Sequence, residues 1–173
     1  MTDSKKFPAG AAFPSLIWQT TTGGKLDIAN MQGWRMLVVY RGKHCPRCKT
    51  YLTKLDGMLD QFKSAGVAVA ALSADPEEKA KASVADGGWH FPVAFGMTVD
   101  QMRKLGLYIS EPRSAEETDR PFAEPGLYVI NAENKAQVVE CSNSASTRPD
   151  LAMMLDGIKN AIEKKLPVRG TMA

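Results

Sequence analysis

Two apolar runs of strand length, Met36–Tyr40 and Val67–Leu72, bracket a segment in which Leu52, Leu55, Leu59 and Phe62 recur at spacings of three and four. That spacing draws one buried stripe along a helix, with Gly66 placed to stop it. A second helix follows, because Asp75-Pro76-Glu77-Glu78 supplies a cap, a first-turn proline and an acid at the third position. Strand, helix, strand, helix argues for an α/β layer with at least one parallel strand pair.

The flanking segments fit the same layer. Trp18 to Leu26 reads as a small hairpin whose turn uses the positive φ open to Gly23-Gly24. Phe91 to Phe95 is a short strand, and Thr98 to Gln101 starts a helix that ends at Gly106. From Leu107 to Pro125 the chain is polar, interrupted by Pro112 and Pro121, and reads as one long irregular loop. Leu127–Ile130 and Gln137–Cys141 flank an Asn-Ala-Glu-Asn turn and form an antiparallel hairpin. A last helix starts near Pro149 with Leu151, Met154, Leu155, Ile158 and Ile162 on one face. With 173 residues, 44% of them hydrophobic, residues 1–173 suit a single domain. Its core covers about residues 7 to 165, and 1–6 and 167–173 are expected to be disordered.

A net charge of +3, dispersed among nearly as many acids as bases, gives no reason to expect nucleic acid as a partner. No run approaches a membrane span and the polar N-terminus does not resemble a signal peptide, so a cytoplasmic protein without a membrane partner is expected. In that compartment three cysteines are not a disulfide scaffold, and a closely spaced pair is catalytic or metal-binding.

Cys45-Pro46-Arg47-Cys48 supplies such a pair directly after the first apolar run. On a first helical turn two such residues stand about 5 to 6 Å apart, within reach of a disulfide. A Cys45 thiolate at a helix start meets free N–H groups and the positive end of the dipole, which lowers its pKa. Arg41, Lys43 and Arg47 add positive charge, and Pro46 suits a position that needs no N–H donor. Cys45 would attack a peroxide oxygen or a substrate disulfide, and Cys48 would expel the product by closing the internal disulfide. Two inert buried thiols are the plainer alternative. A zinc site built from His44, Cys45, Cys48 and either His90 or Cys141 is disfavoured, because adjacent His44 and Cys45 point poorly at one ion. Neither metal nor cofactor is expected. Cys141 reads as a small buried hydrophobe, Trp89-His90 as packing at the sheet edge, and Asp75 as a helix cap.

Residues 38–49, Val-Val-Tyr-Arg-Gly-Lys-His-Cys-Pro-Arg-Cys-Lys, resemble the active-site strand and helix of the thioredoxin superfamily. Gly10-Ala-Ala-Phe-Pro14, Leu72-Ser-Ala-Asp75 and Phe91-Pro-Val are similar to the alkyl hydroperoxide reductase and thiol-specific antioxidant group, the peroxiredoxins. The form Arg-Gly-x-His-Cys-Pro-x-Cys resembles its peroxiredoxin-like subgroup. The resemblance implies a thioredoxin-like α/β fold, a central mixed sheet flanked by helices, with a peroxiredoxin-type N-terminal hairpin.

It also exposes departures. The hydroxyl residue that peroxiredoxins place three positions before the attacking cysteine is here Gly42, and the proline seven positions before it is Val38. The family arginine ahead of the strand after the long loop falls on Pro125, which resembles the thioredoxin cis-proline that lines the substrate groove. Given thioredoxin-like geometry, the Ser142 to Arg148 loop returns to the cysteine side and Arg148 replaces the missing cation, the alternative being a solvated arginine. Bulky family residues at the position of His44 suggest that its ring covers the thiol, with proton donation as the other role. The resemblance implies a thiol peroxidase acting on hydroperoxides and reduced by a thioredoxin-like or small-thiol partner. A thioredoxin-like dithiol–disulfide oxidoreductase and a non-catalytic redox sensor acting through the 107–125 loop stay open, as does a homodimer.

Overall fold

The computed structural model describes residues 5–172 and leaves residues 1–4 and 173 outside the described part. The chain opens with an antiparallel hairpin of β1 (Ile17–Gln19) and β2 (Lys25–Asp27), whose turn places Gly23 at φ 87°. The first apolar run, all but Tyr40, lies in β3 (Trp34–Val39), and the second forms β4 (Val67–Leu72). These strands pair in parallel from Trp34 opposite Val67 to Val39 opposite Leu72. They form the middle of a five-stranded sheet ordered β5-β4-β3-β8-β9, in which β5 is Val93–Ala94, β8 is Gly126–Ile130 and β9 is Ala136–Cys141. β8 runs antiparallel to β3 and β9 antiparallel to β8, so the sheet is mixed.

The helical stripe forms as the spacing requires but in two pieces, α1 (Pro46–Gly57) and α2 (Leu59–Ser64). The break falls at Met58, after Gly57, a residue that weakens helix interiors. Leu52, Leu55, Leu59 and Phe62 nevertheless stay on one buried face. α3 (Glu77–Gly87) follows β4, and its N-cap is Pro76 with no side-chain bond, so Asp75 does not cap it. α4 (Val99–Lys104) begins in a capping box between Thr98 and Gln101. The segment 107–125 is not wholly irregular, since β6 (Ile109–Ser110) and β7 (Phe122–Ala123) pair across it and draw its ends together. α5 (Leu151–Glu163) is capped by Asp150, whose carboxylate accepts the Met153 N–H at 2.9 Å. Residues 167–172 have no regular structure, and Val168 and Thr171 lie beside Gly10.

Successive residues of β3 point to opposite faces and so build two core layers. Met36 and Val38 join α1, α2 and α5 on one face together with Cys45 and Cys48. Leu37 and Val39 pack with Phe13, Trp18 and Tyr128 on the other. Arg35 is also buried, 1% exposed, and its guanidinium donates to the carbonyls of Ile28, Ala29, Gly33 and Asn131 and to Asn134 Oδ1. That set satisfies a charge that would otherwise be costly to bury. Among the described residues no helix is long and apolar enough to cross a membrane.

Candidate active site

The end of β3 delivers the chain to a turn at Gly42, where Cys45 N–H donates to the Gly42 carbonyl at 3.1 Å, and α1 then starts at Pro46. Cys45 is the N-cap of that helix, and its Sγ accepts the Cys48 N–H at 3.3 Å. A free helix N–H therefore points at the sulfur, as a group that must hold negative charge requires. Cys45 and Cys48 are joined as a disulfide with their Cα atoms 5.3 Å apart. Both are covered, at 2% and 1% exposure.

The loop after β9 returns to this side of the sheet. Arg148, half-buried, donates from Nη2 to Cys48 Sγ at 2.7 Å and from Nη1 to the Ala145 carbonyl. Its guanidinium also lies over the Tyr51 ring, 5.4 Å from the centroid, and Tyr51 Oη donates to the Pro149 carbonyl at 2.7 Å. Burial pushes the Tyr51 pKa up to about 12, which keeps it a neutral donor. Arg148 is thus held against Cys48 Sγ by the loop and by an aromatic face from α1.

The other cations divide into two groups. Arg41 is tied to carboxylates: Nε lies 2.9 Å from Glu124 Oε2 as an ion pair without hydrogen-bond alignment, and Nη2 lies 3.8 Å from Glu117. It also stacks over Phe122, 4.8 Å from the centroid. Lys43, Arg47 and Lys49 are exposed and form no ion pair among the described residues. Of the cations expected near Cys45, Arg41 is therefore neutralised by carboxylates, while Lys43 and Arg47 are not.

His44 packs edge-on against Phe122, 4.6 Å between centroids, with both ring nitrogens shielded and without a hydrogen-bond partner among the described residues. Burial, with the Arg41 charge second, lowers its pKa and keeps the imidazole neutral at pH 7. Pro125 sits beside Val38, Tyr51 and Arg148, but no peptide bond among the described residues is cis. The cis isomer of the thioredoxin proline that Pro125 resembles is therefore not found at this position.

Two residues of the expected sets lie elsewhere. Cys141 packs into the core layer on the opposite face of the sheet from the disulfide, and burial raises its pKa. His90 is exposed and pairs with Asp56 at 2.9 Å, while Trp89 stacks on Phe91 in the core and donates to Thr53 Oγ1 at 3.1 Å. Neither His90 nor Cys141 joins Cys45, and among the described residues no three metal-type ligands converge.

Sequence reasoning missed the role of Asp75. Its Oδ2 accepts the Lys43 N–H at 2.7 Å, so the carboxylate anchors the turn ahead of Cys45 rather than the helix behind it. A Cβ on Gly42 would stand 2.7 Å from Asp75 Oδ1, so this carboxylate fills the place a side chain at 42 would take. The available signal was the coincidence of a glycine before the cysteines with an acid at the end of the parallel neighbour strand. Glu124 was missed too, since nothing local marks a loop acid as the partner of Arg41.

A family model described as the AhpC/TSA family matches residues 9–139. A comparison with curated protein sequences finds no match. Among solved structures, a peroxiredoxin-like protein from Aquifex aeolicus superposes with a TM-score of 0.76 at 16% identity, covering 90% of this chain and 88% of that one. AhpC of Mycobacterium bovis gives 0.76 at 13% identity, with 98% and 99% covered. A variant of peroxiredoxin 6 from Arenicola marina gives 0.75 at 21% identity, with 91% and 74% covered. The expected thioredoxin-like α/β architecture is the one these structures share.

Proposed function

Because the chain belongs to the AhpC/TSA family, we propose that it reduces hydroperoxides with Cys45 as the attacking thiolate and Cys48 as the thiol that resolves it. The observation that carries this reading is the Cys45–Cys48 disulfide at the N-cap of α1, with the Arg148 guanidinium on Cys48 Sγ. In the reduced protein, the Cys45 thiolate attacks one oxygen of ROOH, the O–O bond breaks, and RO⁻ leaves to take up a proton as ROH. Cys45 becomes a sulfenic acid. Cys48 thiolate, held by Arg148, then attacks Cys45 Sγ, the S–O bond breaks, and hydroxide leaves as water. The result is the disulfide present here, and two electrons from an external dithiol or two thiols return it to the reduced state.

His44, next to Cys45 in the chain, packs on Phe122, and its neutral ring would limit water at the reacting sulfur. Asp75, through Lys43 N–H, holds the turn that aims it. The reductant is a thioredoxin-like or small-thiol partner, as suits a protein working in the reducing cytoplasm.

A second reading, a dithiol–disulfide oxidoreductase, is favoured by Gly42, which leaves no hydroxyl beside Cys45 to hold a peroxide. Following thiol loss in the reduced protein after mixing with hydrogen peroxide, and separately with a protein disulfide, distinguishes the two. Peroxide consumption far faster than by a free thiol supports peroxidase action. Slow peroxide reaction with rapid disulfide exchange sinks it and leaves the second reading.

A further inference from the structure

Arg148 is a half-buried cation with no carboxylate within ion-pair distance among the described residues; burial lowers its pKa. In the reduced protein its counter-charge is the Cys48 thiolate of the reading above. In the disulfide form that charge is gone, and the guanidinium faces sulfur, a carbonyl and the Tyr51 ring. An open groove of about 450 Å³ begins at this residue, within the size range of small-molecule sites. Its wall carries two further cations, Arg47 and Lys54, with Tyr51 between; its one carboxylate, Asp150, is taken by Lys54 at 3.3 Å.

We propose that this groove binds a small thiol carrying carboxylates, and that it binds it in the disulfide state in preference to the dithiol state. The inference rests on the peroxidase reading and names its reductant. A carboxylate of the ligand pairs with Arg148 and Arg47, drawing the guanidinium off Cys48, which it otherwise covers. The ligand thiolate attacks Cys48 Sγ, the Cys45–Cys48 bond breaks, and Cys45 leaves as a thiolate at the helix N-terminus, where the Cys48 N–H already meets its sulfur. A second ligand thiolate attacks the ligand sulfur of the mixed disulfide and releases the oxidised ligand with Cys48 as thiolate. Two ligand thiolates lose two electrons, and the protein disulfide gains them. Arg148 then turns back to the Cys48 thiolate, its carboxylate site closes, and the product is expelled.

The test uses S-methylglutathione, which carries the carboxylates of such a thiol but cannot react, titrated into the intact protein in its oxidised and reduced forms at low salt. Affinity for the oxidised form is expected to be about tenfold higher, a difference of the size one partly buried ion pair gives. Arg47→Gln should lower the oxidised-state affinity severalfold without changing the reduced-state value. Equal affinity in both redox states, or no binding to the oxidised form, overturns the proposal. Rapid reaction of the reduced protein with hydrogen peroxide alongside such a result leaves the peroxidase reading standing and removes only the groove.

Discussion

Asp75 and Gly42 occupy one volume between them: the Asp75 carboxylate accepts the Lys43 N–H at 2.7 Å and stands where a Gly42 side chain would begin. Gly42 also sits at φ 141°, a conformation that side chains rarely adopt. The turn that aims Cys45 thus depends on an acid from the neighbouring strand and on the absence of a Cβ.

Gly42→Thr, which supplies the hydroxyl that peroxiredoxins use, should therefore destabilise the protein by about 1–3 kcal/mol through backbone strain and the clash with Asp75. Denaturant unfolding checks it. Gly42→Ala combined with Asp75→Ala should cost less than the sum of the two single changes by about 1 kcal/mol, since the second removes the clash made by the first. Strict additivity would contradict the shared volume.

Burial raises the Asp75 pKa above its unfolded value, so the folded protein holds that proton more tightly than the unfolded chain. Its contribution to stability is fully present below the unfolded pKa and is lost as pH rises through the folded one. Asp75→Asn keeps a carbonyl oxygen for Lys43 N–H and removes the titration, while Lys79, Arg120 and Asp119 still face the site. The stability of the wild type relative to Asp75→Asn should fall as pH rises above the ordinary aspartate range. A difference that does not change with pH would contradict the buried carboxylate.

The parallel strand pair, the helix start and the redox pair were all legible, because each rests on spacing within a few residues. The role of Asp75 is hidden because its partner lies in the turn beyond another strand, and local chemistry gives it a proline and two acids that look like a helix start. Met58 breaks a helix whose apolar stripe runs through unbroken, since periodicity records which face is buried and not whether each backbone bond is made. The β6–β7 pair escaped notice because two-residue strands leave no alternation to read. Arg148 was placed only through the returning loop, and its contact with Cys48 rather than Cys45 needed coordinates.

Arg148→Gln should slow the closing of the Cys45–Cys48 disulfide after reaction with hydrogen peroxide by about 100-fold or more, the usual cost of removing one group that stabilises charge at a reacting centre. The rate profile of that step should also shift to higher pH, because the Cys48 thiolate loses its cation, and Arg148→Lys should restore part of both. Stopped-flow kinetics across pH checks this. An altered unfolding midpoint with an unchanged rate profile would make the arginine purely structural.

Glu124 holds Arg41 at 2.9 Å and accepts the Ser110 hydroxyl at 2.7 Å, tying both ends of the 107–125 segment to the turn before Cys45. Glu124→Ala leaves the buried part of that network unpaired and should cost about 1–3 kcal/mol. It should also speed tryptic cleavage after Arg113 or Arg120 severalfold. If cleavage of the wild type is the same in oxidised and reduced forms, the loop does not report the redox state and the sensor reading fails.

The most direct measurement of the central claim is mass spectrometry of Cys48→Ser after brief exposure to one equivalent of hydrogen peroxide. With the resolving thiol removed, one added oxygen is predicted on Cys45, formed far faster than on a free thiol, while Cys45→Ser takes up none on Cys48 or Cys141 in the same time. A Cys45 that stays unmodified, or oxidises no faster than a free thiol, would contradict the account.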